Sequence, residues 1–393
     1  MRILALTAIL SAISSGEMTV FVVVKYPQSN VGQTQSFGLG GTAPLDWGNF
    51  LQLSNTATNT WSASFKIPDF FLNASNPTWS MDMKVVVQPQ QIFQMGANHR
   101  EIFHHSSGNT AHVSIYPYFQ TPSGATQTLK QIWSPQLNNS RDVWLYIPPV
   151  MVENPFAVST HTLIMHDGQN LQPTPNSPPD YMGNWSVATH IDDLIAAEKI
   201  EQVFVVGPYN TGENRINEYT YSKDPQYGGG EGDLYLDFLQ HTLLPRVQQQ
   251  FNLCTEKRCL GILGSSLGGL ISCYAGVTRP HVYGVVGCMS SSFWWNNGDF
   301  LSTIIPRLTA SETQRYYVDC GDSGDSDDDL QDTSQVATAF AASRKGLMLG
   351  VNYFWYLQRG GQHNEAFWSK RFHHPMHWLY GHAAVWNNGL GTH

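Results

Sequence analysis

The sequence predicts an α/β domain with a mostly parallel central sheet, preceded by an all-β sandwich. Three observations carry this. The chain has 393 residues, which suits two domains better than one. Residues 17 to about 115 hold short alternating stretches broken by Gly, Pro, Asn and Ser, the grammar of a sandwich. From about Arg141 onward, short apolar runs alternate with helical patterns, the grammar of a parallel sheet covered on both faces.

Each element follows in order. Met1-Arg2, the apolar run Ile3 to Ile13 and the small residues Ser14-Ser15-Gly16 have the layout of a signal peptide. The run is too short to span a bilayer, no later segment reaches spanning length, and a buried first strand is the alternative reading. The mature chain is therefore expected to be exported and soluble. The sequons at Asn73, Asn138 and Asn184 agree with export. In the first half, Thr19 to Lys25, Trp61 to Ile67 and Met81 to Val87 read as strands. The polar stretch His105 to Leu137 reads as the junction, with the second domain running from residue 116 to 393. Its strands are Asp142 to Ile147, Thr162 to Met165, Val203 to Val206, Leu260 to Leu263, Tyr283 to Cys288, Tyr316 to Val318 and Val351 to Leu357. Leu236, Leu239, Leu243, Val247 and Phe251 recur at helical spacing, and Pro245 should kink that helix or mark its first turn.

Composition narrows the partners. Charged residues make up 13% of the chain, well below the usual share, while aromatics reach 12% with 12 Trp. This suits an extracellular protein facing carbohydrate. A net charge of −9 leaves no basic stripe for phosphates, so no nucleic-acid partner is expected. Of five cysteines, Cys254 and Cys259 flank a short polar loop and can be bridged. Cys273, Cys288 and Cys320 sit in apolar runs and read as small buried hydrophobes. No cysteine pair has zinc-site spacing with His, and no metal is expected.

The chemistry concentrates in the second half. Gly264-Ser265-Ser266-Leu267-Gly268 follows the apolar run Leu260 to Leu263 and precedes a helical stretch. A Gly-X-Ser-X-Gly pattern between strand and helix holds its serine on a turn too tight for side chains at the glycines. Ser266 is then the nucleophile, with the N–H of Leu267 aimed at a developing oxyanion. A second oxyanion donor is expected from His166-Asp167-Gly168-Gln169-Asn170, at the N–H of Gln169, although Asp-Gly is also an ordinary turn signal. Serine needs a base that titrates near neutrality. His363, in a Gly-rich loop after a late strand, is where the order Ser, acid, His puts it. His373, His374 and His377 read as a helix face. The acid belongs in the run Gly321 to Asp329, and Asp328 is the first choice with Asp325 second, since Asp319 still lies in a strand and Asp322 follows Gly321 too closely to turn back.

Val143 to Pro148, Met165 to Gln169, Asn214 to Thr220, Gly264 to Gly269, Ser291 to Trp295 and Gly361 to Trp368 follow one another in order along the second half. Together they resemble the putative esterase family of α/β-hydrolases, which includes esterase D, feruloyl esterases, enterobactin esterase and mycobacterial mycolyltransferases. The resemblance implies Ser-acid-His catalysis on an ester substrate, with no cofactor. The first half resembles the family-20 starch-binding modules through Gly41, Asp46 to Asn49, Asn59 to Trp61, Met83 to Val85 and Gly96 to Arg100. That resemblance implies glucan binding on Trp47 and Lys84, with Phe93 where the family carries a second Trp; Trp47 reads equally as a core residue. The expected function is a secreted serine ester hydrolase acting on carbohydrate or plant-wall esters of feruloyl or acetyl type. Siderophore ester cleavage, acyl transfer, or a carbohydrate-binding protein with an inert hydrolase half are the competing readings.

Overall fold

The computed structural model describes residues 17–32, 34–173, 183–309, 313–324, 329–343 and 346–381. The signal-like run Met1 to Gly16, and with it the export reading, lies outside them, as do Asp325 and Asp328. The chain divides into two compact units, one of residues 1–94 and 98–119, the other of 95–97 and 120–393.

In the first unit, the strands Ser54–Ala57, Thr60–Ile67, Met18–Lys25 and Thr110–Ile115 form one sheet in that order. Leu51–Gln52, Ser36–Gly41, Thr78–Gln88 and Ile92–Phe93 form a second, with His99–His104 also paired to Thr78–Gln88. Alternation explains the core. Val20, Val22 and Val24 point inward from one sheet, and Phe37, Leu39, Met83 and Val85 from the other, into one shared cluster. Phe37 and Trp61 meet edge to face across it at 4.8 Å between ring centres.

The second unit is built on eight strands: β1 (Ala125–Ser134), β2 (Asn139–Ile147), β3 (His161–Met165), β4 (Val203–Pro208), β5 (Leu260–Ser266), β6 (Val285–Ser291), β7 (Arg315–Gly321) and β8 (Tyr353–Gln358). Their order in the sheet is β1-β2-β4-β3-β5-β6-β7-β8, with β1–β2 and β2–β4 antiparallel and the rest parallel. Side chains alternate along each parallel strand into two cores. Ile164, Val206, Ile262, Val286 and Val318 join one with the helices Leu267–Thr278 and Leu330–Ala342. Leu163, Val205, Leu263, Met289 and Tyr317 join the other with Val187–Ala196, Glu365–Arg371 and His373–Tyr380. Both faces are therefore covered, as parallel sheets require.

Three expectations need correction. The polar stretch His105 to Leu137 is not a plain junction, because it holds Thr110–Ile115 and β1. β1 is polar because it is an edge strand, paired among the described residues with β2 alone. Lys130 and Gln131 together oppose Asp142, a bulge in which Gln131 takes φ 51° and Asp142 binds Lys130 Nζ at 2.8 Å and the Gln131 N–H at 3.0 Å. The helix read through Phe251 ends at Gln248, and a π-turn at Leu239–Leu243 precedes Pro245. The wider turn relieves the clash of the proline ring with the carbonyl of His241. Finally, Cys273 and Cys288 are not simple hydrophobes but a disulfide between the helix Leu267–Thr278 and β6, with Cα atoms 5.7 Å apart. Cys254 and Cys259 are bridged too, and Cys320 is buried.

Among the described residues, no helix is long and apolar enough to cross a membrane. The pairing of four cysteines predicts that a thiol titration in denaturant without reductant finds one thiol per chain, rising to five after reduction.

Candidate active site

Ser266 ends β5 and caps the helix Leu267–Thr278 with φ 58° and ψ −128°, a conformation that costs a non-glycine residue about 1–3 kcal/mol. The surroundings enforce it. A Cβ on Gly264 would stand 2.7 Å from the carbonyl carbon of Gly268 and 2.8 Å from Cδ2 of His166. On Gly268 it would press on His166 Cβ at 3.1 Å. Only glycine at 264 lets the strand and the helix pass this closely, and glycine at 268 spares His166 a tight contact. The turn therefore lifts Ser266 out of an otherwise buried strand and leaves the first N–H groups of a 12-residue helix, Leu267 first, at its side.

The second expected oxyanion donor stands at the end of the neighbouring strand. β3 pairs with β5, and the pairing continues through the His166 N–H to the Leu263 carbonyl at 3.1 Å. Asp167 then takes a left-handed conformation, and Gly168–Asn170 form a short 3₁₀ turn that contains Gln169. This turn is fixed by an ion-pair fork that the sequence did not point to. Arg215 Nε donates to Asp167 Oδ1 at 2.7 Å and its Nη2 to Oδ2 at 2.8 Å. Asn210 Nδ2 adds a third hydrogen bond to Oδ1 at 2.7 Å. Burial alone would raise the Asp167 carboxyl, but the Arg215 fork outweighs it and holds the group below the usual carboxylate range. His166 is pushed the other way. Its burial, helped by the Arg215 charge and opposed by Asp167, lowers it to about 3, so it is a neutral packing group bonded at Nδ1 to the Tyr235 hydroxyl at 2.9 Å.

His363 lies in the loop that leaves β8, next to the cap of the helix Glu365–Arg371, where Asn364 Oδ1 accepts from the Phe367 N–H at 3.3 Å. The loop is laced to the exit of β7: Asp322 accepts from the Gly360 N–H at 2.6 Å and from Arg359 Nη1 at 3.0 Å, and Ser323 N–H donates to the Gly361 carbonyl at 2.9 Å. Glu365 Oε1 accepts from Asn170 Nδ2 at 3.0 Å, which ties the histidine loop to the Gln169 turn. The imidazole packs edge-on against Trp368, with ring centres 5.1 Å apart. Its Nδ1 is 3.5 Å from Oδ2 of Asp329, a carboxylate only 9% exposed. Asp328 and Asp325, the choices made from spacing, lie outside the described residues. Asp329 sits at the far end of the same acidic run, in a left-handed conformation that starts the helix Leu330–Ala342.

The strand on the other side of β5 completes the rim. Ser292, just after β6, donates its N–H to the Ser266 carbonyl at 3.1 Å, and its Oγ lies 3.2 Å from Ser266 Oγ. Two residues on, the exposed Trp294 meets the exposed Tyr227 at 6.3 Å between ring centres, with Trp295 buried behind both.

In the first unit, Trp47, Lys84 and Phe93 share one sheet face. Gly40 pairs with Lys84, Gly38 with Val86, and Val86 with Phe93, so these positions point the same way. A Cβ on Gly40 would meet the rings of Phe50 at 3.0 Å and Trp47 at 3.3 Å, which places both rings on that face. Phe50 and Phe93 meet edge to face at 5.7 Å. Trp47 and Phe93 are each 40% exposed, so Trp47 is a surface residue and not part of the core.

The family described as “putative esterase” matches residues 134–379 of this chain. The uncharacterized protein YbbA of Bacillus subtilis is 28% identical over 186 residues, 43% of this chain and 70% of its own length. The siderophore triacetylfusarinine C esterase of Aspergillus fumigatus is 36% identical over 70 residues, 18% of this chain and 24% of its own length. Among solved structures, the ferric enterobactin esterase of Salmonella typhimurium is similar in fold, with a TM-score of 0.52 at 17% identity, covering 95% of this chain and 96% of that one. The family match takes in every strand from β2 to β8 together with Ser266, Asp329 and His363. This chain belongs to the putative esterase family.

Proposed function

We propose that the chain is an exported serine hydrolase of carboxylic esters in which Ser266, His363 and Asp329 work as nucleophile, base and acid. The observation that carries this is the strained Ser266 at the strand-to-helix turn, with a histidine and its shielded carboxylate on segments that follow the parallel strands β8 and β7 at the same end of the sheet. Neutral His363 takes the Ser266 proton as Oγ attacks the ester carbonyl. The oxyanion is received by the N–H groups of Leu267 and Gln169. The imidazolium, steadied by Asp329, returns the proton to the leaving alcohol, and water then repeats the sequence on the acyl-enzyme. Export rests on the signal-like N-terminus and the two disulfides, which persist in oxidising compartments.

The substrate reading is a carbohydrate or plant-wall ester of feruloyl or acetyl type. The Trp294–Tyr227 corner beyond Ser292 offers two aromatic surfaces for a planar acyl group. The face with Trp47, Lys84 and Phe93 supplies a stacking platform for glucan on the first unit. A siderophore ester is the second reading, favoured by the extent of the fold likeness to the Salmonella enterobactin esterase, which reaches across 95% of the chain. Side-by-side turnover of methyl ferulate, acetylated xylan, enterobactin and triacetylfusarinine C separates the two.

Ser266→Ala should lower turnover by several orders of magnitude and abolish fluorophosphonate labelling while the melting temperature stays near wild type. Retention of more than about a tenth of the activity would rule out the assignment. In the acidic run, Asp329→Asn should cut kcat by roughly a hundredfold or more, with Asp325→Asn and Asp328→Asn close to wild type. A large defect at either of those two instead would return the acid to the spacing-based choice. The separate fragment of residues 17–119 should be retarded in a starch-containing gel, and Trp47→Ala in that fragment should remove the retardation; equal mobility with and without starch excludes the glucan platform.

A further inference from the structure

The ends of β6 and β7 hold a buried charged network that takes no part in the steps above. β5 and β6 pair in register up to Ser265 with Met289, and then Ser266 pairs with Ser291. Ser290 is therefore a bulge residue, with φ 38°, set where the register shifts beside Ser266. Its N–H donates to Asp319 Oδ1 at 3.2 Å. Its Oγ accepts from the indole N–H of Trp368 at 3.0 Å and from the guanidinium of Arg371. Arg371 in turn reaches Asp319 through Nε at 3.0 Å and Nη2 at 3.1 Å, and Gln358 at the end of β8 through Nη1 at 2.8 Å. Tyr317 donates to Asp319 Oδ2 at 2.9 Å. Ser290, Asp319, Arg371 and Trp368 are all buried.

Burying an ion pair costs several kcal/mol of desolvation per charge, and apolar residues of the same volume serve stability as well or better. What the network does have is position. Gln358 lies before the histidine loop and Trp368 after it, so the loop is gripped at both ends. The same Ser290 that anchors Trp368 is two residues from Ser292, which holds the backbone and lies against the hydroxyl of Ser266. We propose that Ser290, Trp368 and the Asp319–Arg371 pair form one positioning unit that sets where the His363 imidazole stands relative to Ser266. None of the four touches the reacting atoms; they act through the edge contact of Trp368 on the imidazole and through the bulge beside the nucleophile.

The inference rests on the serine-hydrolase reading, and the test keeps the two apart. Trp368→Phe retains a ring against His363 but loses the N–H donor. Ser290→Gly removes the acceptor and tolerates the bulge conformation. With para-nitrophenyl acetate, each single variant should lose roughly tenfold to a hundredfold in kcat, since small misplacements of a catalytic group are this costly. KM should stay near wild type, and fluorophosphonate labelling should slow in step with kcat. Because both changes break one linkage, the double variant should be no slower than the worse single. Wild-type kcat and labelling in the folded Trp368→Phe protein, losses confined to KM, or single losses that multiply in the double variant would each overturn the proposal. Should either variant fail to fold, the other decides on the same criteria. A wild-type protein that ignores the probe defeats the serine-hydrolase reading itself, whatever the variants do.

Discussion

The backbone conformation of Ser266 is the constraint around which the second unit is arranged. A non-glycine residue is held at positive φ between β5 and its helix, and it stays there because the chain on either side has no room to relax. The missing side chains of Gly264 and Gly268 allow the approach, and His166 fills the remaining space as a neutral ring. The strain is local, and the sheet that opposes it is extensive: β5 is bordered by β3 and β6 and is buried along nearly its whole length. The cost of the turn, about 1–3 kcal/mol, is small against the burial of such a strand.

Neighbouring strand ends then divide the remaining tasks. β3 delivers the Gln169 turn, β6 the Ser292 contact, β7 the acidic run and β8 the histidine loop. Hydrogen bonds cross between several of these ends: Asn170 with Glu365 from the β3 turn to the histidine loop, Ser290 with Asp319 from β6 to β7, and Gly360 with Asp322 from the β8 loop to the exit of β7. The Asp167–Arg215 fork also settles the local charge. A lone Arg215 near the Gln169 turn would add a fixed positive charge to the rim, whereas its bidentate pairing with Asp167 leaves the turn close to neutral.

How much of this could be read in the sequence depended on whether a residue's role is local. The strand-to-helix turn at Ser266 was legible because steric crowding demands glycine at set offsets from one serine, and the loop of His363 because it follows a recognisable aromatic strand. The sandwich-like first half and the parallel second half were legible from their periods. The carboxylate that lies against His363 was not, because Asp322, Asp325, Asp327, Asp328 and Asp329 crowd one run and spacing alone does not single out Asp329. The Cys273–Cys288 bond was hidden for a similar reason: an apolar setting is shared by a buried thiol and a buried disulfide, and pairing is a property of the helix packing on β6. β1 escaped because edge strands lack the apolar run that marks a central one.

The bulge in that edge strand has a consequence for how copies of this chain meet. A straight outer strand offers a ladder of unpaired amides and carbonyls to any passing segment. Here the ladder is interrupted at Lys130 and Gln131, where the backbone turns left-handed and a lysine stands out in solvent. A second strand that follows that edge in register meets this break. The β1 edge is thereby a poorer template for an added strand than a straight one.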